Sequence, residues 1–325
     1  MLSNSTWTGG NRLGKRTISN REFYVIETAD DLRSFCEIVN AGAASANGML
    51  VADIDLNPML NPKDKADRSR CKGWTPIGTY SLMYNGIFKG GGYTVSGVFI
   101  ETKNTAGYLG LFGAIGKSAE IRGVTVDGRI SPTKNFDLNS GGTLFVGGVA
   151  GSSEGLIDEC VNMCDIIGKT CVGGVCGNNS GIISNCINKG TVAGRVCTGG
   201  VCGRSDGDLV SKCINKPAVI GEKNTGGICG FNRGTLRNCV NEGFITGREK
   251  TGAVSGRLCK GAVVEGCTDM SDFGSEFGYI HKEAKVLSNI DQPTQSDQSP
   301  DPRADKVRWR CCENVFCWQY KILRY

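Results

Sequence analysis

One histidine, His281, serves all 325 residues. A zinc metallopeptidase needs two histidines on one helical face and a general-base glutamate, so that chemistry is excluded. Proline is scarce at 8, and the 48 glycines follow no three-residue period, which excludes collagen. No run of about eighteen apolar residues occurs, so no membrane-spanning helix is expected. No long basic run occurs either. The 37 basic and 32 acidic residues are interspersed, for a net charge of +5, which favours solubility and gives no argument for nucleic acid as a partner. The opening stretch MLSNSTWTGGNRLGKRTISN lacks the apolar core segment of a signal peptide. On that ground the chain reads as cytosolic, or as part of a product whose export signal is missing.

What the chain has in plenty is glycine and cysteine, and both recur with a period. GGVAGSSEGLIDECVN begins at Gly147, GGVCGNNSGIISNCIN at Gly173, GGVCGRSDGDLVSKCIN at Gly199, and GGICGFNRGTLRNCVN at Gly226. A worn copy, GAVSGRLCKGAVVEGCTD, begins at Gly252, so the starts lie 26, 26, 27 and 26 residues apart. Each unit holds three short strand-like pieces between Gly, Asn and Ser turns. In the second unit these are Gly174–Cys176, Ile182–Ile187 and Thr191–Ala193. A unit this small cannot bury an apolar face alone, but stacked copies share one continuous core. The expected fold is therefore all-β, a right-handed single-stranded parallel β-helix of about seven or eight coils, with coils about 4.8 Å apart.

Stacking at this period sets up columns. Cys160, Cys186, Cys213, Cys239 and Cys267 form one, and Asn162, Asn188, Asn215, Asn241 and Asp269 a second, two residues on. Cys176, Cys202 and Cys229 form a third, flanked by Ala150 and Ser255 and so facing the interior. An asparagine column can pass amide hydrogen bonds from coil to coil, because each amide both donates and accepts.

The organisation then reads as follows. Residues 1–21 are expected to be disordered, and residues 22–48 to form a capping strand and helix. The helix is placed at Ala29–Ala41 by the capping-box-like Thr28-Ala29-Asp30-Asp31, the apolar face Leu32, Phe35, Cys36 and Val39, and the stop at Asn40-Ala41-Gly42. The β-helix and its terminal cover span 49–285, with Phe277–Asn289 as a candidate covering helix. A polar, proline-punctuated linker (286–306) and an aromatic, cysteine-rich tail of unassigned role (307–325) follow.

GLFG at Gly110–Gly113, the GGVCG and GGICG turns, TADDLRSFCEIVNAG, ADIDL at Ala52–Leu56, WTPIG at Trp74–Gly78 and YNGIFKGGGYTVSGV at Tyr84–Val98 together resemble GLUG-motif repeat proteins of bacterial surfaces. The resemblance covers roughly residues 22–270. It implies a β-helix of the kind found in adhesins and in the non-catalytic regions ahead of IgA-cleaving metallopeptidases. It also implies a cell-surface or secreted location, a host protein or glycan as partner, and derivation from a longer surface protein.

Two functions remain in view. The first is a non-catalytic adhesion or spacer module that binds protein or glycan on a flat sheet face, with specificity in the insertion at Ser131–Gly142. The second is a polysaccharide lyase or glycoside hydrolase, which needs clustered carboxylates. The nearest candidates are Asp53 and Asp55, which alternate along one strand; a structural role at the first coil is the favoured reading. Asp158, Glu159 and Asp208 form no column. The nine-residue glycine–aspartate repeat of calcium-binding β-rolls is not present, and neither cofactor nor metal is expected. The cysteines read as small apolar fillers held as thiols, with inter-coil disulfides and zinc sites as weaker alternatives.

Overall fold

The structure is a computed structural model that describes residues 13–102, 106–132, 143–271, 275 and 277–287. It is a parallel β-solenoid of about nine turns. The count is visible in one sheet, where strands from Arg21–Ile26 to Lys285–Leu287 stack in parallel, one per turn. The turns beyond the expected seven or eight are partial ones at the two ends, Arg21–Ile26 and Lys285–Leu287, where the repeat motif is absent and only pairing reveals them.

Each regular turn carries five short strands rather than three. In the turn starting at Thr170 they are Thr170–Gly173, Cys176–Asn179, Ile182–Ser184, Ile187–Asn188 and Val192–Ala193. Ile182–Ile187 had read as one strand, but Asn185 sits at φ 52° and turns the chain between two sheets. Its equivalents Glu159, Lys212 and Asn238 have φ between 51° and 54°. Asparagine tolerates this left-handed conformation better than most residues, which accounts for Asn before Cys in two of the units. Gly174, expected inside a strand, lies in the turn between Thr170–Gly173 and Cys176–Asn179.

The core runs along the axis and changes character. At the N-terminal end it is aromatic: Phe88 packs against Phe35 and Phe112 with ring centroids 6.0 and 5.2 Å apart, and Tyr84 against Phe112 at 5.3 Å. Further on it narrows to Val, Ile and Cys, with Val172, Val175, Cys176, Ile183 and Cys186 fully buried.

The open first coil is covered by a helix, Ala29–Asn40, whose buried face is Leu32, Phe35, Cys36 and Val39. Thr28 Oγ1 accepts from the Asp31 N–H at 3.2 Å, and the Asp31 carboxylate accepts from the Thr28 N–H at 3.0 Å. This reciprocal pair satisfies two donors that the first helical turn would otherwise leave bare. The stretch expected to lack structure as far as residue 21 contains a strand, Lys15–Ile18, paired antiparallel with Arg21–Ile26. Residues 1–12 lie outside the described residues.

At the other end the candidate helix over Phe277–Asn289 is not found among its described residues, 277–287. Phe277 and Ile280 bridge to Ser255 and Leu258, and Lys285–Leu287 pairs in parallel with Val263–Glu265. The unpaired edge of the last full coil offers a row of backbone donors and acceptors, and this segment meets it by continuing the winding. Residues from 288 on, and residues 133–142 of the insertion, lie outside the described residues.

Candidate binding surface

The columns read from the sequence divide into interior and exterior sets. The asparagine column is interior: Asn162, Asn188, Asn215 and Asn241 are fully buried. Asn162 Nδ2 donates to Asn188 Oδ1 at 2.7 Å, Asn188 to Asn215 at 2.8 Å, Asn215 to Asn241 at 2.8 Å, and Asn241 to Asp269 Oδ1 at 2.8 Å. The second glycine of each pair faces this column. A Cβ at Gly174, Gly200 or Gly227 would lie within 2.2–2.4 Å of the Cγ of Asn188, Asn215 or Asn241. The glycine pair is thus the space that the buried amide ladder occupies.

Cys160, Cys186, Cys213 and Cys239 are fully buried beside the left-handed corners, and Cys267 is half-buried at the end of their line. Their thiols donate to the carbonyls of Asp158, Ser184, Ser211 and Arg237, two residues back, at 3.1–3.4 Å. Cys176, Cys202 and Cys229 are direct register partners. Each donates to the carbonyl two residues on, and Ser255 next in line donates to Arg257 O at 3.3 Å. Serine replaces cysteine there with the same donor at the same place. Burial pushes the Cys186 and Cys202 thiols well above their ordinary range, which keeps them unreactive.

The candidate carboxylates are engaged with the backbone or with cations. Asp53 Oδ1 accepts from the Thr94 N–H at 2.7 Å and Asp55 Oδ1 from the Asn57 N–H at 3.0 Å. Asp55 also lines a shallow cleft of about 260 Å³ with Lys63 and Asp127, and there Lys63 pairs with Asp127 at 2.7 Å. Asp158 accepts from Ser184 at 2.6 Å and Asn185 at 2.8 Å and pairs with Arg122. Its burial opposes ionisation, but those hydrogen bonds and the Arg122 charge outweigh it, and the carboxyl is held below the usual range.

Two further columns escaped the sequence reading. The first begins with an aromatic stack. Tyr80 lies on Tyr108 with centroids 5.6 Å apart and planes 5° from parallel, and Tyr108 lies on Phe145 at 5.2 Å and 19°. The same column continues through Cys171, Cys197 and Asn224, which are buried, to Lys250. Cys171 donates a hydrogen bond to the Cys197 sulfur. The hydrogen bond from Cys171 lowers Cys197 to about 7 against its burial, helped by Asn224, Arg204 and Arg257, while Cys171 is raised.

The second column is Asn178, Arg204, Phe231, Arg257, in successive coils, with Tyr279 following in the last turn. The signal for both was in the sequence. Arg204, Phe231 and Arg257 stand two residues after the third-column positions Cys202, Cys229 and Ser255, and Phe145, Cys171 and Cys197 stand five before Ala150, Cys176 and Cys202. Conserved repeat letters draw the eye to the interior, whereas the variable letters, read down the stack, are the surface.

No family model matches the chain. A "Putative Gly-rich membrane protein" of Evansella cellulosilytica is 32% identical over 135 residues. That match takes in 42% of this chain, and the chain spans 14% of that relative's length. Among solved structures, a "putative immunoglobulin A1 protease" from Bacteroides ovatus superposes with a TM-score of 0.56 at 18% identity, over 86% of this chain and 81% of that one. At that identity the likeness is one of fold: both are built on the β-solenoid. Among the described residues no helix is long and apolar enough to cross a membrane.

Proposed function

We propose that the chain is a non-catalytic module of a longer bacterial surface protein, of the GLUG-repeat kind, which binds a glycan or a protein on one sheet face. The observation that carries this reading is the aromatic stack Tyr80–Tyr108–Phe145. Tyr80 is 67% exposed, and stacked rings on a rigid sheet form a pre-organised apolar platform that loses little entropy on binding. Parallel pairing of Gly107–Leu109 with Leu144–Val146 supports it by holding Tyr108 and Phe145 in register. The names of the two similar proteins, a membrane protein and an IgA1 protease, agree with a surface setting.

The test is a glycan and matrix-protein binding array run beside a polysaccharide turnover screen. The module reading expects saturable binding to at least one glycan or protein, weakened at least tenfold in Tyr108→Ala, and no turnover. Polysaccharide cleavage that disappears in Asp127→Asn would overturn it. The chain would then be a lyase or glycoside hydrolase working from the Asp55–Lys63–Asp127 cleft.

A further inference from the structure

The Arg204–Phe231–Arg257 column alternates cation and ring. Phe231 is ringed by three guanidinium groups, with the carbons of Arg204, Arg233 and Arg257 at 5.3, 5.1 and 5.3 Å from its centroid. Arg257 also lies 5.4 Å from the centroid of Tyr279, and Lys250 Nζ lies 5.1 Å from it. Four cations therefore meet on two rings. Among the described residues one carboxylate, Asp206, pairs with them, bonded to Arg204 at 2.6 Å and to Arg233 at 3.2 Å. Arg257 and Lys250 make no ion pair among the described residues, and the buried Nε of Arg257 has no hydrogen-bond acceptor in the structure.

A guanidinium stacked on a ring spends its face and keeps its N–H edge for a bidentate oxyanion. Stacking also fixes the side chain before any ligand arrives, which lowers the entropic cost of binding. Tyr279, 40% exposed, offers an apolar surface beside those donors. This is the equipment for a ligand that is both anionic and able to lie on an aromatic ring.

Spacing narrows the class. Arg204 and Arg257 are two coils apart, about 10 Å along the axis. That is the length of one disaccharide in an extended chain. A linear polysaccharide with one carboxylate per disaccharide repeats its charge in step with the arginines and presents sugar C–H faces in between. An extended peptide repeats its same-side residues at about 6.8 Å, out of step with them.

We infer that the column Arg204–Phe231–Arg257–Tyr279 is a binding site for a linear acidic polysaccharide lying along the solenoid axis. This rests on the binding-module reading, names its ligand class and places it on the sheet that follows the one carrying Tyr108 and Phe145.

The experiment is calorimetric titration of the full chain with a hyaluronan decasaccharide, which carries one carboxylate per disaccharide. Parallel titrations use a neutral chitin oligosaccharide, poly-glutamate and oligo-dT. Binding to hyaluronan is expected, weakening as salt rises, at least tenfold weaker in Arg257→Gln and weaker again in Arg204→Gln/Arg257→Gln. Arg257→Lys keeps the charge but loses the planar fork, and is expected to fall between. Melting curves matching the parent establish that each variant is folded, and Tyr279→Ser, at the exposed end, is a further variant if one is not. Unchanged hyaluronan affinity in the folded variants overturns the site. Poly-glutamate or oligo-dT bound as tightly as hyaluronan overturns the ligand class. Neutral chitin bound through Tyr108, with hyaluronan not bound, overturns the inference while leaving the module reading standing.

Discussion

Replacing Asn215 by alanine is expected to cost about 3–5 kcal/mol. Asn215 is fully buried and makes three contacts with its amide. Its Nδ2 donates to Asn241 Oδ1 at 2.8 Å and to Pro217 O at 3.1 Å, and its Oδ1 accepts from Asn188 Nδ2 at 2.8 Å. Truncation leaves a donor on one side and two acceptors on the other without that partner. Each buried polar group so stranded costs about 1–3 kcal/mol. Asn241 Oδ1 keeps a long bond from the Gly243 N–H at 3.4 Å, which holds the total towards the lower end of the summed range. The control is Asn178→Ala, the same chemical change on the exterior, where Nδ2 meets only Ser152 Oγ at 3.4 Å; it is expected to cost about 0.5 kcal/mol or less. Urea unfolding followed by circular dichroism gives the difference. Hydrogen exchange at the neighbouring coils shows whether the loss is local, since solenoids need not unfold in one step. If Asn215→Ala and Asn178→Ala unfold within about 0.5 kcal/mol of each other, the ladder is not what holds these coils in register.

Three further expectations follow from the same geometry. Gly200→Ala places a Cβ 2.1 Å from Gly227 O and 2.2 Å from Asn215 Cγ, and is expected to cost about 3 kcal/mol by overpacking; a urea midpoint equal to the parent's would refute the close approach. Asp158 has a depressed pKa in the folded protein, so its contribution is complete above the unfolded carboxyl value of about 3.9 and is lost as pH falls through the folded value. Asp158→Asn should therefore lower stability at pH 7, by roughly 1.5 kcal/mol as for a hydrogen-bonded charge, and flatten the acid limb of a stability-versus-pH curve; an unchanged acid limb counts against it. Cys197, lowered to about 7 by the hydrogen bond from Cys171, should be alkylated by iodoacetamide at pH 7.5 at least tenfold faster than Cys186 or Cys202, read by peptide mass spectrometry, and equal rates would refute that lowering.

Much of the fold is legible in the chain because a solenoid repeats its local chemistry at a constant interval. The spacing of 26 residues identifies the stack, and Cys176, Cys202 and Cys229 are register partners because nothing between them changes length by more than one residue. The helix is legible at Thr28–Asp31 for a different reason, since a capping box is settled by four consecutive residues. The extra strands per turn are not legible in the same way. Asn185 looks like any polar residue within an apolar run, and only its backbone angle shows that the strand ends there.

By itself, then, the sequence determined the architecture, the period and which side chains stack inside, because burial selects for letters that recur. Tertiary structure alone decided how the C-terminal end is closed and what the surface offers. Phe277 and Lys285–Leu287 wind on because an open edge awaits them, and Arg204, Phe231, Arg257 and Tyr279 become one site only when coils bring residues 22 to 27 positions apart into contact. Solvent-facing positions are free to vary from coil to coil, so no repeated letter marks them, and their meaning lies in their neighbours across the stack.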